Sequence, residues 1–158
     1  MSKLIKWYSI AFMSLDITAL YDIMALREEV FTLEQRCNEK DLDGLDKNAV
    51  HIIGTLENNI IATARILPPN IYKPDKVSLG RFAIKKTFRG QGYGDELIQN
   101  ILSYIRNNYP RTPIEFSAQF YLKSFYEKYG FVTKGEVFDE GGIQHIMMTD
   151  LDKQDKIT

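Results

Sequence analysis

The 158-residue sequence has one cysteine, one tryptophan, two histidines and five prolines, and its formal net charge is −1. The lone Cys37 cannot close an intrachain disulfide, so the chain suits a reducing compartment and the residue reads as a small structural thiol. Two histidines and one cysteine without ligand-like spacing give no metal site. Near-zero charge and the lack of any basic run remove the general pull toward nucleic acid or an anionic bilayer. No apolar run nears the ~20 residues that span a membrane, and the opening Met1–Trp7 lacks the apolar core of a signal peptide. A cytoplasmic protein with neither nucleic-acid nor membrane partner is expected. What is present is ordinary for a globular chain: 44% hydrophobic, 12% aromatic and 26% charged residues, enough to bury a core of its own. One domain is expected over 1–151, followed by a polar tail over 152–158.

The patterning is mixed. Leu4–Tyr8 reads as a short strand. Asp16 caps a helix running to about Phe31, with Leu20, Met24, Ala25 and Phe31 as its apolar positions. Val50–Leu56 and Ile60–Leu67 read as strands joined around Asn58-Asn59, since Asn tolerates positive φ. Val77–Ile84 is a further strand. Leu97, Ile98, Ile101, Leu102 and Ile105 form one stripe of a helix. Ile114–Ala118 is a strand, Lys123–Tyr129 a short helix stopped by Gly130, and Phe131–Phe138 with Ile143–Thr149 a hairpin turning at Gly141-Gly142. This order points to an α/β chain around one central sheet.

Between the Val77–Ile84 strand and the next helix lies Arg89-Gly90-Gln91-Gly92-Tyr93-Gly94. Glycines there permit a tight turn and close approach of a ligand to the backbone. The free N–H groups that open the helix suit a phosphate or pyrophosphate. A Walker A loop would end in Gly-Lys-Ser/Thr, whereas Asp95-Glu96 follow Gly94. A dinucleotide fingerprint would need glycine where Asp95 stands. A plain glycine turn is the remaining alternative.

Arg89-x-x-Gly92-x-Gly94 resembles the acetyl-CoA signature of the GNAT superfamily of N-acetyltransferases. Leu79–Ile84 resembles that family's cofactor-binding strand, and Phe125-Tyr126-x-x-x-Gly130-Phe131 resembles its Phe-Tyr-x-x-x-Gly-Phe segment. Arg27-x-x-Val30-Phe31-x-x-Glu34-Gln35, Asp41-Leu42-Asp43-Gly44-Leu45-Asp46, His51, Ala64–Leu67 and Gly142–Ile146 together resemble the ElaA-like subgroup. The likeness covers nearly the whole chain. It implies an acyl-CoA N-acyltransferase fold, a central mixed sheet with two splayed parallel strands flanked by helices. Acetyl-CoA, as co-substrate, would lie in the splay between Val77–Ile84 and Ile114–Ala118. Phe82, Ala83 and Ile84 would bind its pantetheine arm, and Arg89, Gly90, Gln91, Gly92, Tyr93 and Gly94 its pyrophosphate. An amine acceptor would attack the thioester directly in a ternary complex, with no metal. Dimers are common in the family, so a homodimer is a further expectation.

The departing thiolate benefits from a proton, and the resemblance implies Tyr126 as its source; a phenol stays protonated at neutral pH. The base for the incoming ammonium is open between Glu34 and His145, with His51 behind them or water in their place. Asp41, Asp43 and Asp46 make an acidic loop. Counted from Asp41, Gly44 falls at position four and Ile52 at twelve, which rejects an EF-hand. The loop is then either a rim for a cationic amine or a solvated turn. Arg65 and Arg81 stand in apolar strands, where an arginine is costly unless paired. They either pair with Glu34 or the acidic loop, line the acceptor pocket, or reach solvent. Arg27, Gln35, Asp43, His51, Arg65 and Arg81 are the acceptor-facing candidates.

Three rival functions stand beside this one. A non-catalytic CoA-binding module would keep the glycine loop without Tyr126. A different acyl-CoA would need a wider pocket; the Arg27-x-x-Val30-Phe31 pattern is loosely similar to that of acyl-homoserine lactone synthases. A nucleic-acid binder conflicts with the charge. Polyamines, amino sugars, small metabolites and protein amines all stay open as acceptors.

Overall fold

A computed structural model describes residues 4–150. The tail expected over 152–158 lies outside the described residues. Seven strands and three α-helices follow one another as β1 (Lys6–Ala11), α1 (Ile17–Arg27), β2 (Val50–Leu56), β3 (Asn59–Leu67), β4 (Ser78–Ile84), α2 (Tyr93–Asn108), β5 (Glu115–Gln119), α3 (Lys123–Glu127), β6 (Phe131–Glu140) and β7 (Ile143–Asp150). Among the described residues no helix is long and apolar enough to cross a membrane.

The strands form two antiparallel sheets, β1-β2-β3-β4 and β5-β7-β6. The expected single sheet is thus divided. Its halves meet at one parallel bridge, Val77 with Ile114, where Val77 N–H donates to Pro113 O and Glu115 N–H to Val77 O, both at 3.0 Å. Beyond that bridge no ladder joins β4 to β5 among the described residues. The expected splay is therefore present, and it is the reason the sheet splits.

The α2 stripe is buried as its spacing predicts: Leu97, Ile98, Ile101 and Ile105 are all at 0% exposure. It packs with Ile52, Ala64, Ile66, Leu79 and Phe116 in one apolar cluster. Strand side chains alternate between faces, so His51 and Arg65, paired across β2 and β3, point away from that cluster. On their side lies α1, with Leu26 and Val30 packed against Ala83.

Asp16 caps α1 as expected, accepting a hydrogen bond from Ala19 N–H at 2.7 Å. The buried stripe differs from the expected one. It is Ile23, Leu26, Arg27 and Val30, while Ala25 is exposed. A charged residue occupies one core position of this helix, so the apolar residues alone misplace its inner face. The helix also continues as a π-helical segment, Glu28–Glu34, ending with Gln35 N–H on Val30 O at 2.9 Å. The β2–β3 turn is centred one residue before the expected pair. Glu57 and Asn58 take positive φ of 50° and 66°, and Asn59 already pairs with Leu56.

Candidate active site

The site begins with an irregularity in β4. Thr63 pairs with Ala83 and Arg65 with Gly80, so Arg81 and Phe82 together oppose Ala64. This is a β-bulge, with Arg81 at φ 54°. Bulges re-aim side chains and bend a strand. Here the bulge falls where β4 parts from β5.

A cleft of about 290 Å³ opens there. The acceptor-facing candidates Gln35, Asp43, Arg65 and Arg81 line it, as do Phe82, Tyr126 and His145. Arg27 and His51, also expected to face the acceptor, are not among the residues that line it. Arg27 is 1% exposed and its guanidinium is filled by Asp41 Oδ2 at 2.9 Å and Asp46 Oδ1 at 2.7 Å. His51 is buried, with Nε2 3.1 Å from Asp46 O, and burial holds its pKa down.

The acidic loop meets the arginines. Arg65 grips Asp43 through two nitrogens, at 2.9 and 2.6 Å, and reaches Asp46 at 3.1 Å. Arg81 Nε lies 2.9 Å from Asp41 Oδ1. Three arginines from α1, β3 and β4 are thereby matched to three aspartates. The buried charges are paired and hydrogen-bonded, as low dielectric requires. Although burial acts to raise them, the Asp43 and Asp46 carboxyls are held below their ordinary range by hydrogen bonds from Arg65 and Arg27.

Glu34 has a different partner from those expected. Arg89 grips it in a bidentate pair at 2.5 and 2.9 Å, while Arg89 Nε donates to Ile84 O at 2.9 Å. The hydrogen bond from Arg89 lowers the Glu34 pKa. A carboxylate so held is a poor proton acceptor, which weighs against Glu34 as the base.

Beside this pair, Gly90 and Gly92 take φ of 76° and 87°, a region that disfavours other residues. A Cβ at either would meet nothing within 4 Å, so conformation rather than crowding demands glycine there. Gly92 is the N-cap of α2 and offers no side-chain cap. The first-turn N–H groups are therefore left for an anion.

Tyr126 is 4% exposed. Its ring packs edge-on against Phe82, Phe116 and Phe125. Burial pushes its phenol pKa well above the ordinary tyrosine range. His145 Nδ1 lies 2.8 Å from Ile143 O, and Nε2 lies 3.2 Å from Glu140 Oε2. Ile143 O can only accept, so Nδ1 carries the proton of that contact, while Nε2 faces the Glu140 carboxylate.

Several lining residues escaped the sequence reading: Tyr72, Ser117, Gln119, Tyr121 and Glu140. Gln119 and Gln35 exchange amide hydrogen bonds at 3.0 and 3.4 Å across 84 residues. Glu140 had a readable signal, because the Gly141-Gly142 turn brings it beside the strand that carries His145.

Residues 24–151 match the family model described as an acetyltransferase (GNAT) domain. The chain is 33% identical to protein ElaA of Escherichia coli K12 over 92% of its own length and 95% of that protein's. The crystal structure of Escherichia coli ElaA superposes with a TM-score of 0.86, covering 93% of this chain and 99% of that one. An acyl-CoA N-acyltransferase from Pseudomonas aeruginosa superposes at 0.88, with 33% identity and the same shares covered. The acyl-homoserine lactone synthase LasI shares the fold, with a TM-score of 0.74 at 16% identity, over 94% of this chain and 90% of that one.

Proposed function

Since the chain belongs to the GNAT acetyltransferase family, with ElaA among its relatives, we propose that it moves the acetyl group of acetyl-CoA directly to an amine in a ternary complex. The observation that carries this reading is the divergence of β4 and β5 beyond the Val77–Ile114 bridge. The glycine loop that opens α2 follows β4 in the chain, and the cleft lined by Phe82 of β4 and Ser117 of β5 is charged and has Tyr126 in its wall.

In this reading residues 1–151 act as one domain. The loop Arg89–Gly94 and the first turn of α2 receive the pyrophosphate, with Arg89 adding charge. The backbone of Phe82–Ile84 receives the pantetheine arm. An N–H there aimed at the thioester oxygen stabilises the charge that develops as the amine attacks. Tyr126 donates a hydrogen bond to the departing sulfur. Its raised pKa keeps the phenol neutral throughout, so the donor is always armed. His145 Nε2, beside the Glu140 carboxylate, takes the proton of the ammonium.

The experiment is an assay of CoA release against an amine panel. Release that depends on the amine, with no acetyl-enzyme formed in its absence, supports direct transfer. Acetylation of the protein before amine is added contradicts it.

A further inference from the structure

The cleft beside the β4 bulge carries both signs of charge in near balance. Four carboxylates (Glu39, Asp41, Asp43 and Glu140) face the cations Lys40, Arg65 and Arg81. Behind them Arg27 and Asp46 pair with each other. A wall of this kind favours neither a polycation nor a polyanion, because either leaves one set of wall charges opposed.

Arg81 is the incompletely matched member. Its backbone sits at φ 54°, uncommon for any residue but glycine, Asn or Asp. Its Nη2 donates to Asp41 O at 3.0 Å and to Asp43 Oδ2 at 3.3 Å. Its Nε lies 2.9 Å from Asp41 Oδ1 without an aligned hydrogen bond. Its Nη1 has no hydrogen-bond partner among the described residues. Arg27, by contrast, has all three nitrogens bonded. Burial first, then the neighbouring Arg65, lower the pKa of Arg81. The site thus holds a cation with one donor nitrogen left for a further acceptor. Ser117 Oγ, buried without a hydrogen-bond partner, lines the same cleft.

We propose that the acceptor is a small amino-acid-like zwitterion, whose carboxylate is taken by Arg81 Nη1 while its amine meets the thioester. The inference rests on the acyltransferase reading and narrows its acceptor. A charge-assisted N–H from Nη1 is stronger to a carboxylate than to a neutral group. A zwitterion also preserves the charge balance of the wall. The volume of about 290 Å³ sits at the small end for ligand pockets, which run from ~300 Å³ upward.

The test compares free amino acids with their amides and their decarboxylated amines as acceptors, reading CoA release. The carboxylate form is expected to be favoured in kcat/KM by about 10- to 100-fold, the worth of one charged hydrogen-bonded contact. Arg81→Asn suits the positive φ and removes the charge; it is expected to abolish that preference. Arg81→Lys, which keeps the charge but loses Nη1, is expected to retain part of it. The preference is a ratio within one sample, so partial unfolding of a variant cancels. Equal or better use of the carboxylate-free amines overturns the proposal, as does an unchanged preference in Arg81→Asn. So does a protein that binds acetyl-CoA yet acetylates none of the amino acids. Failure to bind acetyl-CoA strikes instead at the acyltransferase reading.

Discussion

Arg27 Nη1 lies 2.7 Å from Asp46 Oδ1, and both side chains are buried. Asp46 also receives Arg65, so it compensates two buried cations. Asp46→Asn is expected to destabilise the fold by about 3–5 kcal/mol, the cost of leaving a buried charge unpaired. Urea unfolding checks it. The same pair fixes a pH dependence. The folded-state pKa values of Asp43 and Asp46 are depressed, so their stabilisation is complete above the unfolded value of ~3.9 and is lost as pH falls through the folded values. Wild-type stability should therefore fall steeply below about pH 4, and Asp46→Asn should fall less steeply.

Glu34 tests whether a carboxylate near the acceptor side acts as a base. Held by Arg89 and depressed in pKa, it is expected to serve by positioning Arg89. Glu34→Gln should change KM for acetyl-CoA by about 10-fold or less while kcat stays within about 3-fold. A loss of kcat on the order of 10²-fold, with KM unchanged, would restore Glu34 as the base.

Tyr126→Phe removes one hydroxyl from a ring whose packing is otherwise aromatic. The fold should keep its stability, and kcat should fall by about 10- to 100-fold, the worth of one hydrogen bond to a charged group. Circular dichroism melts and steady-state kinetics separate the two effects. The raised phenol pKa carries a second expectation. Any alkaline loss of activity near neutrality should persist in the variant, because it cannot arise from Tyr126.

Gly141 sits at φ 65° at the β6–β7 turn, and a Cβ there would collide with Cys37 Sγ. The turn is tied to the same segment by Asn38 N–H donating to Gly141 O at 3.0 Å. Gly141→Ala should cost about 1–3 kcal/mol through overpacking and backbone strain. Adding Cys37→Ala should recover the steric part alone. Thermal unfolding of the single and double variants measures both.

Much of this was legible in the sequence because local rules coincide with the fold. The α2 stripe, the Asp16 cap, the glycine turn at Gly141-Gly142 and the strand–loop–helix around Arg89–Gly94 each follow from spacing and backbone preference. The rest depended on pairing over distance. Arg27 is a core residue only because Asp41 and Asp46 close on it, so its burial misplaces the α1 face for any apolar count. The Arg81 bulge has a faint signal in Gly80 beside it, since a glycine inside a strand can mark a bulge, but the residue that takes the positive φ is the arginine. Glu34 could be matched to Arg65, Arg81 or Arg89 on charge alone, and only the fold selects Arg89. The Gln35–Gln119 pair spans 84 residues and carries no local signal.

The most direct test is calorimetric titration with acetyl-CoA of the wild-type protein and of Gly92→Val. Gly92 caps α2 at φ 87° with open space around it, so valine disturbs the backbone of the anion site without striking the core. The expected result is saturable binding by the wild type, greatly weakened in the variant, with CoA released once an acceptor amine is added. Absence of binding to acetyl-CoA, and to every longer acyl-CoA tried, would contradict the assignment of the β4–β5 splay as an acyl-CoA site.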